Sequence, residues 1–566
     1  MHPSPSRRDR FVDPAIGGGL AAAYVVWLLS TARSLGFPRD EGFYFRAANE
    51  YGRWFKRLFE GDTTVLERAA VDGSWGYNHE HPALMKSLFA ISRNLLWEKW
   101  KVFEDFSTAC RFPAMLMGGL AIAVTYLFAA RAYSRRAGVF AAAFLALSPA
   151  YFFHAHLACF DIPIVAMWTL CIYVYWRAYT EKSVGWALLL GVVYGLTLET
   201  KHNAWILPEV FVVHTFWADR KSILKDLSEG RVSVPTTLLA MATVGPLVFV
   251  ALWPWLWNDT LPRIQEYAQF HLNHEYYNIE FLGVNYFGPP SPKLYAPVMI
   301  FATVPGVALL AFAVGAWTRL RHAIERVKTF VVHTWSPSPN RTAFGVVADV
   351  EDRNETDLLV FLGFAAAIAP FFLPKTPIFG GTKHWMTGYP FMMMWAGVGV
   401  DRVFDAFAKA FPTTDRTRDR VREVLLAITL LAAPLATTRH SHPFGLSTYM
   451  PFVGGSAGGA DLGLFRQFWG FTTQSAAKFL ATAPPRSTVF IHDTAWDSWA
   501  TMQFEHRLRP DLVGVGAPHD GTYAILHHEL HMEEVDYEVW VAYGTAAPAH
   551  VVTHDGVPIV SVYRRP

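Results

Sequence analysis

A succession of apolar stretches through the first 440 residues limits this chain more than any other feature. Crossing a bilayer takes about 20 mostly apolar residues. Stretches near that length centre on residues 15–35, 112–131, 137–153, 160–177, 184–199, 203–218, 234–257, 296–318, 357–373, 385–401 and 423–438. They predict a polytopic all-α membrane protein with about eleven transmembrane helices, since a helix satisfies its own backbone polar groups in lipid. Composition agrees. Apolar residues make up 52%, aromatics 15% and charged residues only 17%, against roughly a quarter charged in soluble proteins. A net charge of +2 is too small to suggest a nucleic-acid partner. Cys110, Cys159 and Cys171 fall in or beside apolar segments and read as small buried residues, not a disulfide framework. Behind the basic start MHPSPSRRDR, the run from Ala15 to Leu35 has no clear small-residue cleavage site, so it reads as a retained first helix.

Lys and Arg in the short flanks set orientation. Arg7, Arg8 and Arg10 precede the first span, Arg131, Arg135 and Arg136 follow the second, and Arg177 and Lys182 follow the fourth. Arg220 and Lys221 follow the sixth, Arg319 and Arg321 the eighth, and Arg402 and Lys409 the tenth. With eleven spans these clusters share one side. The expected placement is the inner (plasma) membrane of a bacterium, with the N-terminus cytoplasmic and the C-terminus periplasmic or extracellular.

The external segments are then the loop 36–111, the turns at His154–Asp161, Lys201 and 374–384, the loop 258–295, and everything after about 440. Within the first loop, Gly42 to Phe59 and Pro82 to Trp97 read as amphipathic helices lying on the membrane surface. Beyond 440 the pattern shifts to short alternating runs: STVFIHD, LVGV, TYAIL, YEVWVAYG, AHVVT and VPIVSVYRR, with a helix-like AWDSWATMQFEHR. Asp555–Gly556 suits a hairpin turn. Two domains are expected: 1–440 in the membrane, and 441–566 as a small soluble α/β domain outside. GGSAGGADLG, 454–463, reads as a flexible approach, without the strand-then-helix setting of a phosphate loop.

Polar groups gather at the external ends of the spans: Asp40 and Glu41, His79–Glu80–His81, Asp161, Lys201 and His202, then Lys375, Lys383 and His384. An acidic pair at a bilayer edge is costly unless something uses it. An Asp accepts a proton from a hydroxyl in a transition state, and Lys and His neutralise a departing phosphate. Plainer readings stand beside this one. Asp161 is also a helix cap ahead of Pro163, and Lys201 also suits snorkelling. The shared face favours an anion-handling site with a base.

The ordered motifs are Asp40–Glu41 followed by GFYFRAANEY, HEHPALMK at 79–86, RFPAML, ALSPAYF, FDIPI, LETKHNAW and GTKHWMTGYPFMMMWAG. Together, over roughly residues 10–440, they resemble the GT-C superfamily of membrane glycosyltransferases. The resemblance is above all to the protein O-mannosyltransferase-like group, family 39, and its relative the lipid A aminoarabinose transferase. It implies a GT-C fold and inverting transfer of a sugar from a polyprenyl-phosphate donor to a hydroxyl of an acceptor protein, lipid or glycan. It implies Asp40 as general base, Glu41 as the neighbour that orients or hydrogen-bonds it, and Asp161 helping to place the acceptor or a cation near the base. Lys201, Lys383, His384, His81 and Lys86 would hold the carrier phosphate. The implied partners are the donor, the acceptor and membrane lipids, with no cofactor and no metal expected. Topology points the same way, because nucleotide sugars are cytoplasmic and an outward-facing site calls for a lipid-linked donor.

Three other readings compete. The oligosaccharyltransferase branch carries a Trp-Trp-Asp motif, whereas AWDSW at 495–499 has one Trp before Asp497. HHELHM at 527–532 misses the HExxH spacing of a zinc protease, although His527 and His531 would share a face on a helix. A membrane transporter or lipid flippase for a phosphorylated amphiphile would place ionisable groups near the bilayer midplane, and here they cluster at span ends.

Overall fold

The architecture comes from a computed structural model that describes residues 9–232, 234–335, 343–378 and 380–566. Arg7 and Arg8 lie outside the described residues. Among those described, five helices are long and apolar enough to cross a membrane, or six if the bent pair Arg135–Ala146 and Pro149–Ala155 counts as one. The expected count of about eleven is not matched at that length. Several of the expected spans form shorter helices, such as Val184–Leu198 and Thr236–Leu252. The stretch 296–318 breaks between Tyr295–Thr303 and the helix that starts at Gly306. There Pro305 lacks the N–H that would continue a helix.

The long helices pack closely. Asp9–Thr31 lies along Phe106–Ala132, and Gly306–Trp335 lies along Tyr389–Ala410. The second crossing is tight because it has glycine on both sides. A Cβ on Gly315 would sit 1.7 Å from the Trp395 carbonyl, and one on Gly399 would sit 1.9 Å from the Ala311 carbonyl.

In the first loop, Arg39–Phe59 is a helix, and Leu84–Ser92 continues into a π-helical turn, Arg93–Lys99. Their expected role as membrane-surface helices needs correction for the first. Glu41, Tyr44, Phe45, Ala48, Tyr51 and Gly52 are buried along one face of Arg39–Phe59, the three-and-four spacing of a stripe facing a core. Phe45 packs edge-on against Phe37 and Phe106, and Tyr44 against Phe160. That aromatic face is committed to protein.

The C-terminal region forms a five-stranded sheet in the order Val513–Val515, Thr488–Ile491, Tyr523–His527, Val557–Arg564, His550–His554. The first three strands are parallel and the last two pair antiparallel. Asp555 and Gly556, at φ +51° and +79°, make the hairpin turn that Asp-Gly favours. YEVWVAYG is not a strand. It lies in the helix Glu533–Tyr543, closed by Gly544 at φ +66°, the left-handed position that ends a helix. Gly455–Asp461 is a short helix, not a flexible tether. His527 ends a strand, so it shares no helix face with His531.

The sheet does not stand apart from the helices. One apolar cluster runs from Leu28 and Phe37 through Trp469 and Phe471 to Val489, Ile525 and Val562. The sheet's other face packs Phe490, Leu526 and Tyr563 against Val539 and Tyr543.

Candidate active site

Asp40 and Asp161 both open helices, in the first turns of Arg39–Phe59 and Asp161–Glu181. The partial positive charge of a helix N-terminus favours a carboxylate there. These two helix starts converge on a cavity of about 980 Å³ lined by Asp40, His81, Asp161, Lys201, Lys383 and His384, together with Lys375, His202 and His271. Aromatic side chains contribute much of the remaining wall, including Phe43, Tyr44, Phe160, Trp168 and Phe371.

The charges form two pairs of different character. Lys201 Nζ donates to Asp161 Oδ1 at 2.7 Å, and His154 Nδ1 lies 3.9 Å from Asp161 Oδ2. Asp161 is 5% exposed and is held on both sides. Lys383 Nζ lies 4.0 Å from Asp40 Oδ2, where Lys383 is 4% and Asp40 28% exposed. Asp40 is the more open acid. Burial pushes the Lys383 ammonium below its usual value, and Asp40 and Asp161 act against that shift. Burial, aided by Lys86, holds His81 well below the ordinary imidazole value, so it is neutral near pH 7. His202 stacks on His271 at 4.1 Å, and His271 Nε2 is 2.9 Å from the Glu80 carbonyl. The result is a pocket in which the accessible Asp40 carboxylate shares the wall with the ammonium groups of Lys201, Lys375 and Lys383 and with several neutral imidazoles.

Glu41 and Lys86 do not line this cavity, and their expected roles are corrected. Glu41 is fully buried and bound to Arg111, with Nε–Oε1 at 2.8 Å and Nη2–Oε2 at 2.5 Å. It also accepts the Ala158 N–H at 2.7 Å. Arg111, the arginine of RFPAML, donates to the carbonyls of Ala32, Leu35 and Gly36. Glu41 therefore fixes the chain beside Asp40 without bonding it. Lys86 lies beneath the turn that carries His81, donating to the Asn78 carbonyl at 2.5 Å and the His81 carbonyl at 2.8 Å. Both groups are short of water and spent on backbone or a buried partner.

Several lining groups fall outside the expected site residues. Arg39, Gln467, Trp469, Asp493 and Glu529 all face the cavity, and four of them come from the C-terminal region. Of these, Arg39 stands beside Asp40 and Glu529 falls in HHELHM, so only those two had a cue in the sequence.

Residues 94–255 match the model of a family described as dolichyl-phosphate-mannose-protein mannosyltransferase. The matched stretch includes Arg111, Asp161 and Lys201 and leaves out Asp40 and the C-terminal region. No curated protein matches the chain. Among solved structures, the chain is similar to ArnT from Cupriavidus metallidurans bound to undecaprenyl phosphate, at 15% identity and a TM-score of 0.44, covering 96% of this chain and 97% of that one. It is also similar to the archaeal oligosaccharyltransferase AglB from Archaeoglobus fulgidus in complex with an inhibitory peptide and a dolichol-phosphate. That match has 13% identity and a TM-score of 0.48, covering 95% of this chain and 72% of that one.

Proposed function

We propose that this chain is a membrane glycosyltransferase that moves a sugar from a polyprenyl-phosphate carrier to an acceptor hydroxyl on the outer side of the membrane. The observation that carries the reading is the Asp40–Lys383 pair, an open carboxylate 4.0 Å from a buried ammonium at the wall of a large aromatic cavity. The match of residues 94–255 to a mannosyltransferase family supports it.

In this reading Asp40 accepts the acceptor's hydroxyl proton as the oxygen attacks the anomeric carbon. The carbon–oxygen bond to phosphate breaks on the opposite face, which inverts the configuration. The carrier phosphate leaves with two negative charges against Lys383 and Lys201, whose ammonium groups are in place before the charge develops. Asp161 keeps Lys201 aimed at the cavity. Neutral His81 offers a hydrogen bond along the wall, which His384 also lines. The carrier's apolar chain would follow the aromatic lining.

The test compares envelope proteins, lipid A and surface glycans by mass spectrometry from cells with and without the protein. A hexose- or pentose-sized mass missing from one class supports the reading and names the acceptor. Identical glycan profiles with altered lipid distribution across the membrane would favour a flippase instead.

A further inference from the structure

Two residues of the C-terminal region meet the cavity on unusual backbone. Trp469 has φ +80° and Asp493 φ +47°, a region that bulky side chains rarely adopt. Such conformations persist where the surroundings hold them, and they cluster at functional sites. Trp469 touches Lys383, and both residues bond Arg39, the neighbour of Asp40. The Trp469 carbonyl accepts the Arg39 backbone N–H at 2.8 Å, and its ring centroid lies 3.7 Å from Lys383 Nζ. Asp493 Oδ1 accepts from Arg39 Nη1 at 2.9 Å, and Arg39 directly precedes Asp40.

Behind Asp493, Glu529 is hydrogen-bonded to it and accepts from Gln467 Nε2 at 2.6 Å. Burial, and then the Asp493 charge, push the Glu529 carboxyl well above the usual range. The two acids thus sit together against one guanidinium. The backbone leaves little slack, since a Cβ on Gly470 would stand 1.9 Å from the Asp493 carbonyl.

We propose that the C-terminal region is a positioning element of the active site: Trp469 through Lys383, and Asp493 through Arg39, set how the ammonium and the Asp40 carboxylate face each other. The inference rests on the transferase reading above. It gives the sheet a task in the reaction, because neither residue needs to touch the substrate to act.

Two readouts test it on the full-length protein. One is binding of undecaprenyl phosphate in nanodiscs. The other is the glycan product in complemented cells at matched protein level. Trp469→Leu should weaken binding about tenfold and Trp469→Phe less than about threefold, because Phe keeps an aromatic face under the ammonium. Asp493→Asn should leave binding within about twofold yet cut product at least about tenfold, as expected when a reacting group is misplaced by a fraction of an ångström. Asp493→Glu should restore part of that loss, and Gly470→Ala should behave like Asp493→Asn. Wild-type binding and product in both Trp469→Leu and Asp493→Asn overturn the proposal, and so do losses that only track the amount of folded protein. Full product from Asp40→Asn removes the transferase reading itself. Loss of product in Asp40→Asn alone removes only the positioning role.

Discussion

Lys383 Nζ and Asp40 Oδ2 face each other at 4.0 Å, a looser contact than the 2.7 Å bond from Lys201 to Asp161. The tight pair has its carboxylate occupied, while the loose pair leaves Asp40 open to the cavity. Lys383 also lies over the ring of Trp469, 3.7 Å from its centroid, a contact that keeps its charge in place when Asp40 takes a proton.

Replacing Lys383 by Met should therefore weaken undecaprenyl phosphate binding. A hydrogen bond to a charged group contributes about 1.5–3 kcal/mol, so the loss is roughly 10- to 100-fold. Lys383→Arg should recover only part, because a planar guanidinium does not replace a compact ammonium in a buried site. Equilibrium binding in nanodiscs measures both. Unchanged affinity in Lys383→Met would take Lys383 out of the phosphate site.

The buried Glu41–Arg111 pair should matter for folding. Removing one partner strands a charge and costs about 3–5 kcal/mol. Glu41→Gln and Arg111→Met should each lower the melting temperature and yield. The double variant Glu41→Gln/Arg111→Met should lose less than the sum of the two, because neither charge is left alone. Additive losses in thermal melts would contradict the pairing.

Lys86 makes stability depend on pH. Burial pushes its amine down to about 7 from the usual 10.5, so between those values the unfolded chain binds more protons than the folded one. Stability from this group then rises with pH from about 7 to about 10, and is lost as pH falls toward 7. One proton corresponds to about 1.4 kcal/mol per pH unit. Melting curves from pH 7 to 10 should be steeper in pH for the native protein than for Lys86→Met. Parallel curves would show that Lys86 does not titrate in that window.

Asp40 was legible in the sequence because a carboxylate at the end of a long apolar run stands out against its surroundings. The Asp161–Lys201 contact was not, because its members are 40 residues apart and meet only when two helix ends converge. Glu41 looked like Asp40's partner from adjacency, yet successive helix positions point about 100° apart, so neighbours face different surroundings. Hydropathy located the apolar stretches but not the breaks within them at Pro149 and Pro305, since it sees apolar length alone. The hairpin at Asp555–Gly556 was readable from its turn chemistry. YEVWVAYG was not, because an alternating run of eight residues fits a strand as well as the amphipathic helix it forms. Trp469 and Asp493 left no trace, because their position depends on the sheet docking against the helix start at Arg39.

In the proposed reaction Asp40 is the base of a glycosyl transfer. The most direct test expresses Asp40→Asn at wild-type level in cells lacking the native protein and quantifies the glycan product by mass spectrometry. Loss of a general base costs about 10²- to 10⁴-fold in rate, so product should fall near or below detection with undecaprenyl phosphate binding retained. Wild-type product from Asp40→Asn would contradict it.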